Sequence, residues 1–296
     1  MSELKTYSGN CHCAALKFNI QIPELKSFIE CNCKTCFKNG YKWIFTDTSH
    51  FNIVRGDGIL KAYDFGAGSM VHKFCPTCGT NVLGLPHGKS QGIDVGINAR
   101  TLMGVDIWAL ENMPYDSAAN ELAYKPQEFA GPLPTAAIEN STPILEVATV
   151  AMWPWRSRRS LSQARGRHCR KLEDLEVPSP SIWNMFRNAI VVFNGTIFFY
   201  PLRPQVSILD PGNSLKAYMM GRKFQQHKFC SVCGVSIHIG KEGLPEEAAK
   251  WPDTIQSLWP EILPVNLRIL DGVDWDQIVV KRGCKAEEIE PKYVVG

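Results

Sequence analysis

The residues of this chain that could do chemistry are cysteines, and most of them lie near the amino terminus. Seven of the eleven cysteines fall within the first 78 residues, in two close pairs and one triplet. The clusters are Cys11-His12-Cys13, Cys31-Asn32-Cys33-Lys34-Thr35-Cys36 and Cys75-Pro76-Thr77-Cys78-Gly79. Thiols one or two residues apart can reach the same ion from a single turn, which is how zinc knuckles are built. The spacing therefore predicts bound zinc.

The number of thiols indicates two different zinc sites. Two pairs and one triplet supply seven ligands, one fewer than two closed tetrahedral sites require. One closed site and one open site fit this count, and an open position can accept a substrate. The alternatives are reduced structural thiols or a disulfide framework.

The bulk properties describe a globular chain long enough for two ordinary domains. It has 296 residues, of which 45% are hydrophobic and 21% charged, as expected for a folded protein. A net charge of +3 and a pI of about 8.2 are too mild to indicate nucleic acid by themselves. We see no apolar leader at the amino terminus and no apolar run long enough to span a bilayer. We therefore expect a cytoplasmic protein whose reduced thiols favour metal over disulfides.

Alternating apolar residues predict a mainly β fold. Leu16, Phe18 and Ile20 would face a core from a strand near residues 15–21. Residues 51–63 are expected to form a hairpin around Gly56-Asp57-Gly58. Short helical turns are expected near residues 102–110 and at the triplet.

The chain then repeats itself. Leu60-Lys61-Ala62-Tyr63 recurs as Leu215-Lys216-Ala217-Tyr218, and residues 72–79 recur as residues 227–234 at the same offset. Residues 97–108 recur as residues 265–276 at a larger offset, which indicates an insertion around residues 241–263. We predict a first domain over residues 5–130, a linker over 131–143 and a second, degenerate copy over 144–296.

The second copy lacks the chemistry-bearing clusters. Where the CxC and CxCxxC clusters should recur, Cys169 is the one cysteine, and if it matched Cys36 the other triplet positions would be Ala164 and Gly166. Cys230 and Cys233 keep the CxxC spacing without a CxC partner, and we interpret them as reduced thiols of a remnant hairpin. Residues 156–171 carry seven Arg or Lys and no acid. We interpret them as a solvated loop or a faulty translation, with nucleic-acid binding unlikely.

The order of the clusters resembles the glutathione-dependent formaldehyde-activating enzyme family, which includes centromere protein V. The matching segments are Gly9-Asn10-Cys11-His12-Cys13, the triplet, and Phe74-Cys75-Pro76-Thr77-Cys78-Gly79-Thr80. The resemblance implies a zinc-clamped β-tent of small twisted antiparallel sheets, here in two tandem copies. It also implies two zinc ions, both in the first domain.

The resemblance assigns roles to the seven cysteines. Cys11, Cys13, Cys75 and Cys78 would hold a closed structural zinc, and Cys31, Cys33 and Cys36 would hold an open, catalytic one. The implied activity is that of a carbon–sulfur lyase that forms or cleaves a thiol–aldehyde adduct such as S-hydroxymethylglutathione, with glutathione and an aldehyde as its small-molecule partners. The alternatives are a non-catalytic zinc module that binds glutathione or a macromolecule, and a thiol redox protein.

Other polar residues are expected to have supporting roles. His12 and His72 are predicted to lie beside metal ligands without binding the ion. His227 and His238 of the second copy are better candidates for recruitment, but they are not predicted as ligands either. Arg100 and Arg268 occupy matching places in the repeat and are expected at the surface or in structural roles, although Arg100 could meet a glutathione carboxylate. We expect the two copies to pack as a pseudo-dimer.

Overall fold

The computed structural model describes most of the first 118 residues and a second block nearer the carboxyl terminus. The described residues are 3–64, 70–88, 94–118, 148–151 and 194–278, without 211, 221–222, 242, 245, 251–252 and 272. The predicted linker and the basic segment 156–171 lie outside these residues. None of the helices within the described ranges is long and apolar enough to cross a membrane.

The amino-terminal part is built from two sheets that are antiparallel except for one strand pair. The smaller sheet has the order β1-β2-β5, and the larger has the order β10-β3-β4-β9-β8-β7-β6, in which only β10 and β3 run parallel. The strands are β1 Lys5–Asn10, β2 Lys17–Ile22, β3 Ser27–Cys31, β4 Trp43–Thr46, β5 Phe51–Arg55, β6 Lys61–Tyr63, β7 Met70–Phe74, β8 Asn81–Pro86, β9 Val95–Asn98 and β10 Glu111–Tyr115.

The core lies where the predicted apolar stripe of β2 meets the larger sheet. Leu16, Phe18 and Ile20 are almost fully buried and pack with Val82 and Ile97 of β8 and β9. Successive side chains of a strand point to opposite faces, so the alternation in sequence becomes one buried and one wet face. The sequence prediction of this strand is confirmed.

The predicted hairpin over residues 51–63 is wrong in its pairing. A turn does form, because the amide of Ile59 donates to the Gly56 carbonyl at 3.3 Å and both Gly56 and Gly58 have positive φ. However, β5 pairs with β2 while β6 pairs with β7, so the turn joins two different sheets. The helical turn expected near residues 102–110 is found just before them, as the 3-10 helix Ala99–Thr101.

A short helix, α1 (Lys34–Asn39), connects β3 to β4. Its N-cap is Cys33, and it ends at Gly40, whose φ of 60° stops the helix in the left-handed conformation that glycine favours. The helical turn predicted at the triplet is thus confirmed.

The carboxyl-terminal part contains a five-stranded sheet of order β12-β17-β16-β15-β14, and a parallel pair of β11 and β13. A second short helix, α2 (Asp253–Leu258), lies in the predicted insertion between β16 and β17. The strands are β11 Ala148–Ala151, β12 Phe198–Phe199, β13 Val206–Leu209, β14 Leu215–Met219, β15 Gln225–Cys230, β16 Ser236–Lys241 and β17 Val265–Asn266.

The two parts share side-chain hydrogen bonds at matching positions. Asn98 Nδ2 donates to the Asn81 carbonyl, and Asn266 Nδ2 donates to the Ser236 carbonyl, both at 2.9 Å. Each asparagine is followed two residues later by an arginine whose Nε donates to a left-handed glycine. The two pairs are Arg100 with Gly40 at 2.8 Å, and Arg268 with Gly195 at 3.0 Å.

The parts also contact each other through matching residues. A Cβ added to Gly79 would lie 2.6 Å from the Phe229 ring, and one added to Gly234 would lie 2.7 Å from the Phe74 ring. In addition, Lys61 Nζ donates to the Ser231 carbonyl at 2.7 Å. Each CxxC turn therefore presses against the phenylalanine that precedes the other.

Candidate metal centres

Four cysteines from two distant segments converge at one end of the core. Cys11 and Cys13 directly follow β1, whereas Cys75 and Cys78 lie in the turn between β7 and β8. The Sγ atoms of Cys11 and Cys13, and those of Cys13 and Cys75, are 3.6 Å apart, and all four lie within 4.8 Å of one another. Zn–S bonds of about 2.3 Å in a tetrahedron place sulfurs roughly 3.8 Å apart, so this donor set fits zinc.

The backbone around the four thiols explains how the sequence builds this cluster. The amide of Cys75 donates to the Thr80 carbonyl and that of Gly79 donates to the Cys75 carbonyl, both at 2.9 Å. Gly79 has a φ of 72°, as its place after the CxxC pair predicts. Cys11, Cys75 and Cys78 are at most 1% exposed, so the site is closed to solvent on nearly every side.

Without a cation, negative charge on the buried four-cysteine cluster is unfavourable. Hydrogen bonds from Cys11 and Cys13 hold the pKa of Cys75 far below its ordinary range. Desolvation and the neighbouring thiols raise the pKa of Cys78. Buried negative charge is costly unless it is compensated, and a divalent ion would compensate it while binding the deprotonated sulfurs.

The triplet forms a second and more open cluster. Cys31 ends β3, Cys33 caps α1 and Cys36 lies within that helix, and their sulfurs are within 4.8 Å of one another. The amide of Cys33 donates to Cys31 Sγ at 3.5 Å, and the amide of Cys36 donates to Cys33 Sγ at 3.4 Å. Cys31 and Cys33 are partly exposed whereas Cys36 is buried, so this cluster has one face towards solvent.

The three triplet thiols have pKa values that are shifted in different directions. Hydrogen bonds from Cys33 and Cys36 lower the pKa of Cys31 to about 3. The hydrogen bond to Cys31 raises the pKa of Cys33 to about 11, and hydrogen bonds to Cys31 and Cys33 raise the pKa of Cys36 well above its ordinary value. Metal binding at neutral pH would release the protons that the raised pKa values keep on Cys33 and Cys36.

Aromatic side chains form a wall behind the triplet. Trp43 Nε1 donates to Cys36 Sγ at 3.2 Å, and the Trp43 and Tyr41 rings stack with centroids 4.2 Å apart. The imidazole of His72 lies against both rings, at 5.2 Å from Tyr41 and 5.7 Å from Trp43. Space for this wall comes partly from Gly84, where a Cβ would lie 2.3 Å from the Met70 sulfur.

The histidines lie beside the two clusters and belong to neither of them within the described residues. His72 is 8% exposed, and its Nδ1 has no hydrogen-bond partner in this part of the chain. His12 is 3% exposed, and its Nδ1 lies 3.0 Å from Tyr218 Oη. Desolvation lowers the pKa of both imidazoles to about 4, so both are neutral at physiological pH. His227 is buried beside His12, and His238 is half-buried on β16.

The second CxxC pair has no further ligands around it in the described residues. Cys230 and Cys233 form the same turn as Cys75 and Cys78, with the amide of Gly234 donating to the Cys230 carbonyl at 2.8 Å. The pair packs in an apolar cluster with Val206, Ile208, Leu215, Val235, Ile237 and Val265. Cys169 and Cys284 lie outside the described residues.

The matching glycines change the alignment suggested for the second triplet. Because Gly195 accepts from Arg268 as Gly40 accepts from Arg100, Asn194-Gly195 corresponds to Asn39-Gly40. At this offset Cys31, Cys33 and Cys36 correspond to Phe186, Asn188 and Val191, which differs from the alignment that matches Cys169 to Cys36. Neither alignment places a CxCxxC cluster in the carboxyl-terminal part of the sequence.

Sequence reasoning missed the roles of several residues that surround the triplet. Arg100 is 6% exposed and holds the Gly40 carbonyl, which rules out the surface role considered for it. Asn81 accepts from Tyr41 Oη at 3.1 Å and donates to Asn39 Oδ1 at 2.8 Å, which ties the end of α1 to β8. A polar residue at the start of an otherwise apolar strand, such as Asn81, was the one available signal.

Comparison with known proteins agrees with the cysteine pattern. Residues 6–105 match the family model described as glutathione-dependent formaldehyde-activating enzyme. Among solved structures, a Rhodobacter sphaeroides protein is similar at 29% identity, over 36% of this chain and 97% of that protein, with a TM-score of 0.33. All seven amino-terminal cysteines lie inside the matched segment. The amino-terminal domain of this chain is therefore similar, over residues 6–105, to the glutathione-dependent formaldehyde-activating enzyme family.

Proposed function

We propose that this domain is a zinc-dependent carbon–sulfur lyase that forms or cleaves a thiol–aldehyde adduct such as S-hydroxymethylglutathione. The observation that carries the proposal is the pairing of a buried four-cysteine cluster with a partly exposed three-cysteine cluster. The first has the composition of a closed structural site, and the second leaves one coordination position for a substrate.

The triplet residues fit a zinc ion, which Cys31, Cys33 and Cys36 would hold. When bound, zinc supplies Lewis acidity that polarises a carbonyl or hydroxyl oxygen. The protein contributes positioning: the Trp43 indole fixes the sulfur of Cys36, and the amide of Cys36 fixes that of Cys33. The stacked rings of Tyr41 and Trp43 exclude water from the inner side of the cluster, so a substrate would approach from the exposed side of Cys31 and Cys33.

The second half is proposed to be a degenerate copy that packs on the first as a pseudo-dimer. The matching hydrogen bonds of Asn98 and Asn266, and the reciprocal contacts of the two CxxC turns, support this view. With no triplet in the second half, the chain would have one reactive centre.

The proposal is tested by metal analysis and turnover on protein purified without chelator. We expect two zinc ions per chain and a faster equilibrium between formaldehyde, glutathione and their adduct, followed by exchange NMR. Cys33→Ser should lose the triplet zinc and the turnover while keeping the fold. Cys233→Ser is the matched control, because it removes a thiol from the second CxxC pair, and it should retain both.

Three other results would contradict the lyase assignment. Two bound zinc ions without turnover would favour a non-catalytic zinc module that binds glutathione or a larger partner. A metal-free triplet that cycles between thiols and disulfide would favour the redox alternative. Turnover that survives in Cys33→Ser with an empty triplet would exclude the triplet as the reactive centre.

A further inference from the structure

Helix α1 carries two of the three triplet cysteines but is too short to be stable alone. It spans six residues, Lys34–Asn39, whereas isolated helices shorter than about 12 residues are marginal in water. Cys33 precedes its first turn and Cys36 lies inside it. The distance from Cys36 to the other two sulfurs therefore depends on the residues that hold this helix in place.

The first half holds the helix on one side. The side chain of Asn39 donates through Nδ2 to the Thr35 carbonyl and accepts through Oδ1 from Asn81 Nδ2. The Trp43 indole donates to Cys36 Sγ. Arg100 donates to the carbonyl of Gly40 at the C-cap. These contacts fix the inward side of α1, and the Phe37 carbonyl accepts from the Gly40 amide at 3.1 Å within the same half. None of these contacts involves the Phe37 ring.

The second half holds the opposite side through two residues. Arg268 Nη1 donates to the Phe37 carbonyl at 3.4 Å, and its guanidinium carbon lies 5.1 Å from the centroid of the Phe37 ring. The indole of Trp275 packs edge-on against the same ring at 5.1 Å. A cation that binds the last carbonyls of a helix stabilises its C-terminal turn, and a cation over an aromatic ring adds attraction where solvent is excluded.

Further hydrogen bonds of Arg268 connect its contact with Phe37 to the rest of the second half. Its Nε donates to the Gly195 carbonyl, and its own amide donates to Asn266 Oδ1 at 3.2 Å. Gly195 in turn contacts Gly40, since a Cβ on either glycine would lie within 2.8 Å of the carbonyl oxygen of the other. Arg268 is thus a rigidly supported fork and not a mobile surface side chain.

We propose that the second half is a positioning module for the triplet site, in which Arg268 and Trp275 hold the C-terminal end of α1 so that Cys36 stays within reach of Cys31 and Cys33. The inference rests on the proposed function insofar as the triplet is taken to bind metal. It gives the metal-poor half of the chain a role at the reactive centre: Arg268 and Trp275 would act through the helix, without touching the substrate.

The test measures zinc affinity at each site of the full chain by competition with a chelator. Two release steps are expected, and Cys33→Ser identifies the step that belongs to the triplet. Removing residues that support metal ligands typically weakens affinity 10–100-fold. We therefore expect Arg268→Ala and Trp275→Ala each to weaken the triplet step by about 10–100-fold, with the four-cysteine step unchanged.

Matched variants separate positioning from charge and from general destabilisation. Arg203→Ala removes an exposed arginine of the same half and should leave both steps unchanged. Arg268→Lys keeps the charge but loses the planar fork, so it should restore only part of the triplet affinity. If Arg268→Ala does not fold, Trp275→Ala decides by the same criteria, because it leaves the Gly195 hydrogen bond intact.

Two outcomes would overturn the positioning role alone: unchanged triplet affinity in a folded Arg268→Ala chain, or equal weakening of both sites. An unsubstituted chain whose triplet binds no zinc would overturn the metal assignment and the positioning role together. Adduct turnover that is absent, with the zinc affinities as expected, would overturn the lyase proposal and leave the positioning role standing.

Discussion

Two CxxC turns in this chain have the same backbone but different surroundings. The amides of Cys75 and Cys230 each donate at 2.9 Å to the carbonyl five residues later, and Gly79 and Gly234 have φ of 72° and 78°. A β-bulge precedes each turn, at Lys73/Phe74 and at Lys228/Phe229. The turn is therefore encoded locally by Phe-Cys-x-x-Cys-Gly, whether or not further ligands are near.

The surroundings determine what the turn contributes. Around Cys75 and Cys78, the thiols of Cys11 and Cys13 complete a metal-binding set. Around Cys230 and Cys233, apolar side chains from β13, β14, β16 and β17 fill the space. Thiols that could coordinate a metal in one half are thus replaced by apolar packing in the other.

The largest expected effect comes from breaking the metal-binding turn. Cys75→Ser should lose one zinc and unfold the amino-terminal domain, because structural zinc contributes on the order of 10 kcal/mol in small zinc peptides. Zinc content by mass spectrometry and unfolding by circular dichroism would measure both effects. A soluble, folded Cys75→Ser chain with two bound zinc ions would contradict the structural role of this site.

The equivalent substitution in the second half provides the control. Cys230→Ser places a hydroxyl in an apolar cluster, which should cost about 1–3 kcal/mol and leave zinc content unchanged. A loss of zinc in Cys230→Ser would show that the second CxxC pair also binds metal, which would contradict its assignment as an apolar, metal-free turn.

Separating the halves should affect them unequally. We expect the second half to depend on contacts with the first, because Tyr218 and Met220 pack against the amino-terminal core and the Phe229 ring packs against Gly79. We expect a fragment of residues 1–135 to stay folded with zinc at its four-cysteine cluster, and a fragment of residues 140–296 to aggregate. Size-exclusion chromatography and metal analysis of the separately expressed fragments would check this. A soluble, cooperatively unfolding second fragment, or one with stoichiometric zinc, would refute the dependence.

Features that depend on near neighbours in sequence were predictable. The cysteine clusters follow from spacing alone, since a thiol pair one or two residues apart reaches one ion. The strand β2 follows from the alternation of Leu16, Phe18 and Ile20, because side chains in strands have a period of two. The repeated segments also indicated correctly which arginines occupy matching positions.

Features that depend on distant pairing were not predictable. Gly56-Asp57-Gly58 specifies a reversal of the chain, but turn residues do not determine which strands pair, and β5 and β6 join different sheets. The contact between Arg268 and Phe37 joins residues 231 positions apart. Nothing in either local sequence encodes such a contact, so it can be identified only from the three-dimensional structure.

The smallest expected effect concerns the histidines that occupy matching positions in the repeat, His72 and His227. Both are buried, and desolvation lowers the pKa of His227 from 6.5 to about 3. Since the unfolded chain binds a proton near pH 6.5 and the folded chain does not, the stability that neutral His227 contributes is complete above that pH. It is lost progressively as the pH falls towards about 3.

Replacing His227 should therefore make folding less sensitive to acid. At roughly 1.4 kcal/mol per pKa unit, the unsubstituted chain should lose about 2 kcal/mol more than His227→Gln between pH 7 and pH 5. Urea titrations of both chains at both pH values would measure the difference. Both chains retain the seven amino-terminal cysteines, so protonation of metal ligands affects them equally and cancels in the comparison. An unchanged pH slope in His227→Gln would mean that the buried imidazole of the second half accepts a proton in the folded state.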